Sequence, residues 1–176
     1  AGATSTPGRP GRTREGIAWA LVALLAIVAG GVWWTRGVTP RREPQRLSVV
    51  LPAGIKLTKG AGNLAVSPDG HALVFVGSES AERSGLFVRL LSESVPRLLP
   101  NTSGASYPFW SPDSQNLAFF ADGKLKRVPA AGGDVNIVCG ATDGRGGAWS
   151  RRGTMLFAPS VASCLMSVEA SGGSPR

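Results

Sequence analysis

Pro108-Phe109-Trp110-Ser111-Pro112-Asp113-Ser114-Gln115-Asn116-Leu117-Ala118-Phe119-Phe120 decides the fold. Phe109 and Trp110 favour a pleated, half-buried surface, which is where aromatic side chains pack well. Ser-Pro-Asp is turn chemistry: proline presets φ at the first central position, and the Ser and Asp side chains bond nearby backbone N–H groups. Leu117-Ala118-Phe119-Phe120 is an apolar run of strand length. The stretch therefore reads strand, tight turn, strand.

It recurs. Leu64-Ala65-Val66-Ser67-Pro68-Asp69-Gly70-His71-Ala72-Leu73-Val74-Phe75 lies upstream, and Gly147-Ala148-Trp149-Ser150-Arg151-Arg152-Gly153-Thr154-Met155-Leu156-Phe157 lies downstream. The turn serines Ser67, Ser111 and Ser150 are 44 and 39 residues apart. A second landmark repeats in phase: Leu86, Leu125 and Leu165, at steps of 39 and 40. A double repeat at ~40 residues is the signature of a four-stranded propeller blade. The spacing predicts strands over 63–66, 71–76, 85–91 and 95–99; then 106–110, 116–120, 124–128 and 134–139; then 147–149, 154–158 and 163–168. The expected fold class is all-β, a partial β-propeller of about three four-stranded blades. Ala131-Gly132-Gly133 and Ser171-Gly172-Gly173 occupy equivalent turns.

The three turns differ in a readable way. Gly70 suits a left-handed position after Pro-Asp, because it lacks a Cβ. Ser114 takes that place in the second turn at a modest cost. The third turn, Ser150-Arg151-Arg152-Gly153, loses Pro and Asp but keeps the glycine. The residues singled out as repeat-turn positions are Ser67, Pro68, Asp69, Gly70, Ser111, Pro112, Asp113, Ser150 and Gly153, with a structural role. Asp69 and Asp113 read as turn formers and not as metal ligands, since no second acidic cluster stands at suitable spacing.

Ahead of the repeats stands a segment of another kind. Residues 1–15 are Gly-, Pro-, Thr- and Arg-rich and read as a disordered linker. Residues 16–35 run 20 residues without a charge. As a helix they would span ~30 Å, the thickness of a bilayer's hydrocarbon core. Trp33 and Trp34 stand at one end and Trp19 near the other, where indole rings prefer the interface. A transmembrane helix is expected there, followed by a spacer over 36–45 and the truncated repeats over 46–176. A cleaved signal peptide fits less well, as its apolar region is shorter and an Ala-x-Ala-like site follows it. Ala26 and Gly30 form a small-xxx-small pair that could bring two spans together in a homodimer. Residues 46–51 read as a short strand that would join the last blade and close the ring. With an alanine at its start and a strand due at its end, the chain reads as a fragment. Three blades leave unpaired edges, so such a fragment is expected to be marginally stable and prone to associate.

The net charge is +8, of which residues 1–46 hold seven Arg against two Glu. Basic residues that flank an apolar run mark a membrane border, and no recognition motif for nucleic acid appears. Arginines stand on both sides of the run in similar number, which leaves its orientation open. His71 is the only histidine, in a turn, and no Gly-x-Ser-x-Gly elbow exists, so catalytic residues are expected to be none in this chain. Gly144-Arg145-Gly146-Gly147 is not a phosphate loop, because no Lys-Ser/Thr and helix follow it; it reads as a flexible loop between blades. No cofactor-binding or metal residues are read. Cys139 and Cys164 are expected on strands of consecutive blades, either paired in an oxidising compartment or as two separate buried thiols.

Val66-Ser67-Pro68-Asp69-Gly70 and Trp110-Ser111-Pro112-Asp113, each followed by a Leu-x-Phe or Leu-Ala-Phe strand, resemble the TolB-like propeller repeat, also called the WD40-like PD40 repeat. With Phe119-Phe120-Ala121-Asp122-Gly123-Lys124-Leu125-Lys126 and Asp143-Gly144-Arg145-Gly146-Gly147-Ala148-Trp149-Ser150, the chain is similar to the C-terminal halves of bacterial membrane-bound serine/threonine protein kinases. That resemblance covers residues 16–176. It implies a kinase domain upstream of the linker, with ATP and Mg as its cofactors and none in this chain. It also implies a single-pass cell-membrane protein whose periplasmic or extracytoplasmic propeller senses an unknown ligand or protein. Two other readings stand beside it: a membrane-tethered TolB-like scaffold without enzyme activity, and the propeller of a prolyl oligopeptidase-like peptidase.

Overall fold

The computed structural model describes residues 2, 19, 24–26, 51–59 and 62–176. The chain divides into two compact units, Ala1–Ser48 and Val49–Arg176. In the first unit Trp19 and residues 24–26 are helical and exposed. The rest of the expected span over 16–35 lies outside the described residues, as do most of the linker over 1–15 and all of the spacer over 36–45. Among the described residues no helix is long and apolar enough to cross a membrane. The expected strand over 46–51 also falls outside them, except Leu51, which belongs to no strand.

The second unit is all-β, and every strand pairing in it is antiparallel. Its strands are β1 (Lys56–Leu57), β2 (Leu64–Val66), β3 (Ala72–Ser78), β4 (Ser84–Leu90), β5 (Arg97–Leu98), β6 (Ser106–Trp110), β7 (Asn116–Ala121), β8 (Lys124–Pro129), β9 (Asn136–Gly140), β10 (Gly147–Trp149), β11 (Thr154–Phe157) and β12 (Met166–Glu169). They form three sheets in chain order. In the first, β2, β3, β4 and β5 are consecutive neighbours, and β1 pairs with the part of β3 that β2 leaves free. The second runs β6-β7-β8-β9 and the third β10-β11-β12. Beside β12, Ser167 and Arg176 exchange backbone hydrogen bonds of 2.8 and 2.9 Å, the start of a fourth strand position.

The register makes the sheets comparable residue by residue. Ser67, Ser111 and Ser150 donate their backbone N–H to the carbonyls of Ala72, Asn116 and Thr154. Ala72 faces Leu90, Asn116 faces Pro129 and Thr154 faces Glu169. Side chains alternate from there, since successive residues of a strand point to opposite faces. The leading face of each sheet carries Leu73 and Phe75, Leu117 and Phe119, or Met155 and Phe157. The trailing face carries Val74 and Val76, Ala118 and Phe120, or Leu156. The core follows this order. Val74, Val76, Leu86 and Val88 of the first sheet pack with Trp110, Leu117, Phe119 and Val128 of the second. Ala118, Phe120, Leu125 and Val138 of the second pack with Met155, Phe157 and Val168 of the third. On the first sheet's leading face, Leu73, Phe75 and Phe87 are covered by Leu51, Ile55, Leu91 and Leu98. Strands β3 and β7 are therefore buried on both faces, which accounts for their near-continuous apolar sequences.

The third sheet departs from the expected pattern. Its last strand begins at Met166, three residues later than the spacing suggests, and Leu165 precedes it, exposed. Leu86 and Leu125 are buried because a following sheet covers them; no described residues cover Leu165. The two cysteines also depart from expectation: both are free, Cys139 buried and Cys164 exposed in the loop before β12. Separate buried thiols describe Cys139 alone.

Candidate functional site

The first two repeat turns are built around a buried serine. Ser67 Oγ donates to Asp69 Oδ1 at 2.6 Å and accepts the N–H of Ala72 at 2.8 Å. The same carboxylate oxygen accepts the N–H of His71 at 2.9 Å, and Gly70 N–H closes the turn on the Ser67 carbonyl. The second turn repeats this set: Ser111 Oγ donates to Asp113 Oδ1 and accepts the N–H of Asn116, and Asp113 accepts the N–H of Gln115. Both aspartates are held below their ordinary value of 3.8, first by the serine hydroxyl and next by the backbone N–H. The third turn has no carboxylate. Ser150 Oγ accepts only the N–H of Thr154, at 3.2 Å, and Gly153 N–H bonds the Ser150 carbonyl. Pro68 and Pro112 precede the aspartates in the two complete turns. All three turns place a left-handed residue at the same point: Gly70 (φ 76°), Ser114 (φ 61°) and Gly153 (φ 86°). Ser114 carries a function there that glycine cannot: its Oγ accepts the N–H of Asp69, 3.2 Å away in the preceding turn.

Successive turns flank clefts between sheets. The cleft between the first and second sheets, about 450 Å³, has an apolar floor of Ala72, Val88, Leu90 and Trp110, with Asp69 and Glu93 among its walls. The cleft between the second and third, about 440 Å³, is lined by Asp113, Asn116, Trp149 and Arg151 among others. Trp110 joins the first two sheets, its Nε1–H donating to the Ala65 carbonyl at 3.1 Å. Arg97 does the same nearer the edge, from Nη2 to the Ala130 carbonyl at 2.9 Å.

At the opposite end of the sheets stands a group that sequence reading missed. Tyr107 has φ 49°, a left-handed conformation unusual for a bulky residue, at an irregularity in the β6–β7 pairing. Its N–H donates to Asn63 Oδ1, and Arg145 lies over its ring, with Cζ 5.9 Å from the centroid. Arg145 also donates to the Tyr107 hydroxyl at 3.3 Å and to Asp143 at 2.8 Å. The only sequence signal for this group is indirect: Gly62 and Gly146 stand beside the ring, and a Cβ on Gly62 would enter it. The glycine-rich stretch at 144–147 lies in the connection from β9 to β10, as expected of a loop between blades, and the glycines at its two ends are packed tightly. A Cβ on Gly144 would fall inside the Phe120 ring, and one on Gly147 would lie 2.8 Å from both Phe109 Cζ and the Leu156 carbonyl oxygen.

His71 is exposed in its turn. Among the described residues, no group of three or more His, Cys, Asp or Glu side chains could hold a metal ion. The turns are hydrogen-bonded units at the ends of the strands they join.

No protein-family model matches the chain, and no curated protein matches it. Among solved structures, a TolB-type protein from Agrobacterium tumefaciens is 17% identical with a TM-score of 0.55, over 65% of this chain and 44% of that one. This chain therefore spans less than half the length of that protein. At such identity the likeness bears on the fold alone: an all-β, TolB-like arrangement of antiparallel sheets. The AtxE2 isopeptidase in its apo form is 19% identical over 57% of this chain and 20% of that one, with a TM-score of 0.44, too low to bear on fold or function.

Proposed function

We propose that the region from residue 46 onward is part of a TolB-like β-propeller. In this reading it serves as the extracytoplasmic sensor or interaction region of a single-pass, membrane-bound serine/threonine protein kinase. One observation carries the propeller reading: the trailing face of one sheet packs on the leading face of the next, twice, through residues at the same register positions. A repeated interface of that kind relates each sheet to its predecessor by a similar operation, as successive blades of a ring are related. The role of the ring is to present turns, loops and inter-sheet clefts to a partner. The kinase reading rests on the order of charged linker, apolar segment over 16–35, spacer and repeats, and on the sequence resemblance of the repeats.

The test is phosphotransfer by the protein encoded by the whole gene. Expected are a Gly-rich loop, a lysine strand, a His-Arg-Asp loop and an Asp-Phe-Gly motif ahead of residue 1. Serine or threonine phosphorylation from ATP and Mg should then be abolished by replacing the catalytic aspartate. A coding sequence without a kinase domain overturns the kinase role and leaves a membrane-tethered scaffold propeller, whose interactions a pull-down from envelope extracts would identify.

A further inference from the structure

We propose that the cleft between the second and third sheets binds an amino acid in its zwitterionic form, the carboxylate on Arg151 and the ammonium on Asp113. This gives a ligand class to the interaction role proposed above and rests on that role for its place in the cell, whereas the binding itself needs no kinase domain.

The two clefts are alike in size, about 450 and 440 Å³, within the range of small-molecule sites. They differ in what their side chains still have to offer. In the first, Trp110 Nε1–H and Arg97 Nη2 donate to the carbonyls of Ala65 and Ala130, and Ser114 Oγ accepts the N–H of Asp69. In the second, Trp149 stands at the position of Trp110. Its ring packs against the core shared by the second and third sheets, but its indole N–H has no partner among the described residues. The Asn116 carboxamide and the exposed Arg151 guanidinium, which line the same cleft, are also without partners among the described residues.

The two charges come from opposite sides of the cleft. Asp113 belongs to the turn of the second sheet. Its Oδ1 holds the Ser111 hydroxyl and the Gln115 N–H, which leaves Oδ2 free among the described residues. Those bonds keep the carboxyl below its ordinary 3.8, so it is charged at neutral pH. Arg151 belongs to the turn of the third sheet, at the position of Pro68 and Pro112, whose rings carry no donor. Both side chains line the cleft, yet no ion pair joins them. A cation and an anion that face one cleft unpaired suit a ligand with both charges. A guanidinium takes a carboxylate through two parallel N–H···O bonds, and the free Asp113 oxygen takes an ammonium. The Trp149 ring offers a face to a flat or apolar side chain. An anion alone would meet the Asp113 charge, and a cation alone would meet Arg151.

The experiment is isothermal titration calorimetry of the full 176-residue chain in mild detergent. The probes are L-phenylalanine, phenylpropionate, which lacks the ammonium, and phenethylamine, which lacks the carboxylate. L-phenylalanine is expected to bind one to one, and each analogue ~10-fold or more weaker. Arg151→Ala should weaken L-phenylalanine by a similar factor and leave phenethylamine no weaker than before. Arg151→Lys should recover part of the loss, since it keeps the charge without the fork. Arg152→Ala, exposed and outside the lining, should change nothing, and circular dichroism checks that each variant keeps its strands. A parent that does not bind L-phenylalanine overturns the proposal. So does phenylpropionate binding as tightly as L-phenylalanine, which would mean an anion site without a part for Asp113. Equal losses in Arg151→Ala and Arg152→Ala also overturn it, as they would show attraction to the turn's overall charge. The readout involves no phosphotransfer, so it stands or fails apart from the kinase test.

Discussion

The second and third sheets share a strand order and a serine-centred turn, but the second is buried on both faces and the third on one. In β7 every residue from Leu117 to Ala121 is buried; in β11 burial alternates through Met155, Leu156 and Phe157. Local sequence does not account for the difference, since Leu156 is as apolar as the buried Ala118 that it matches. What differs is that neighbouring sheets cover both faces of the second sheet, whereas among the described residues none covers the trailing face of the third. In a stack of repeats each sheet gains most of its stability from the interfaces on either side, so a sheet covered on one face is held less firmly than one covered on both.

Substitutions at equivalent depth should expose this asymmetry most plainly. Phe119→Ala removes a fully buried ring between two sheets and is expected to lower stability by ~3–5 kcal/mol in urea unfolding. Leu156→Ala, measured at concentrations where the chain is monomeric, is expected to cost under ~1 kcal/mol. Equal costs would show that the third sheet's trailing face is covered within one chain. The next largest effect concerns the glycines. Gly144→Ala forces a methyl group into the Phe120 ring, and is expected to cost ~1–3 kcal/mol by the same measurement. Gly140→Ala, at a site with open space around it, should stay within ~0.5 kcal/mol.

The turns give a smaller contrast. Ser111→Ala removes a buried hydroxyl bonded to both Asp113 and the Asn116 N–H, and should lower the thermal midpoint by the equivalent of ~1–2 kcal/mol. Ser150→Ala removes one long hydrogen bond at an exposed site and should cost roughly 0.5 kcal/mol. The smallest effect is in pH. Asp69 and Asp113 are more acidic in the folded chain than the ordinary 3.8. Their hydrogen bonds thus stabilise fully above that value, and the contribution is lost as pH falls through the lowered pKa values. A melting curve repeated from pH 6 down to pH 2 should show the loss, and Ser67→Ala with Ser111→Ala should flatten it. The third turn, which has no carboxylate, adds nothing to this dependence; a slope unchanged in the double variant would show that other groups carry it.

Much of the strand pattern was legible because two independent signals agreed. In the second repeat the aromatic run, the Ser-Pro-Asp turn and the apolar run fixed β6 and β7 to within a residue. In the third repeat, Leu165 stood in phase with Leu86 and Leu125, yet the strand starts after it. Phase records a shared template, whereas burial needs a following sheet. Gly144 and Gly147 carry a meaning that the loop reading did not include. Glycine marks close approach as well as freedom, and only the position of Phe120 tells which. The Tyr107–Arg145–Asp143 group could not be read, because with Asn63 against the Tyr107 N–H it joins three stretches of sequence through one strained backbone position. The apolar segment over 16–35, the most distinctive compositional feature, has no described counterpart apart from four helical residues.

Ser114 stands where its two counterparts are glycines, and it accepts its hydrogen bond from a residue of the repeat before it. A repeat is therefore not an interchangeable module: part of what specifies one turn is written in the next. Anyone averaging these repeats into a consensus would replace Ser114 by glycine, relax its own backbone and delete the message it carries to its neighbour. Order along the chain, and not only the number of repeats, is encoded in that hydroxyl.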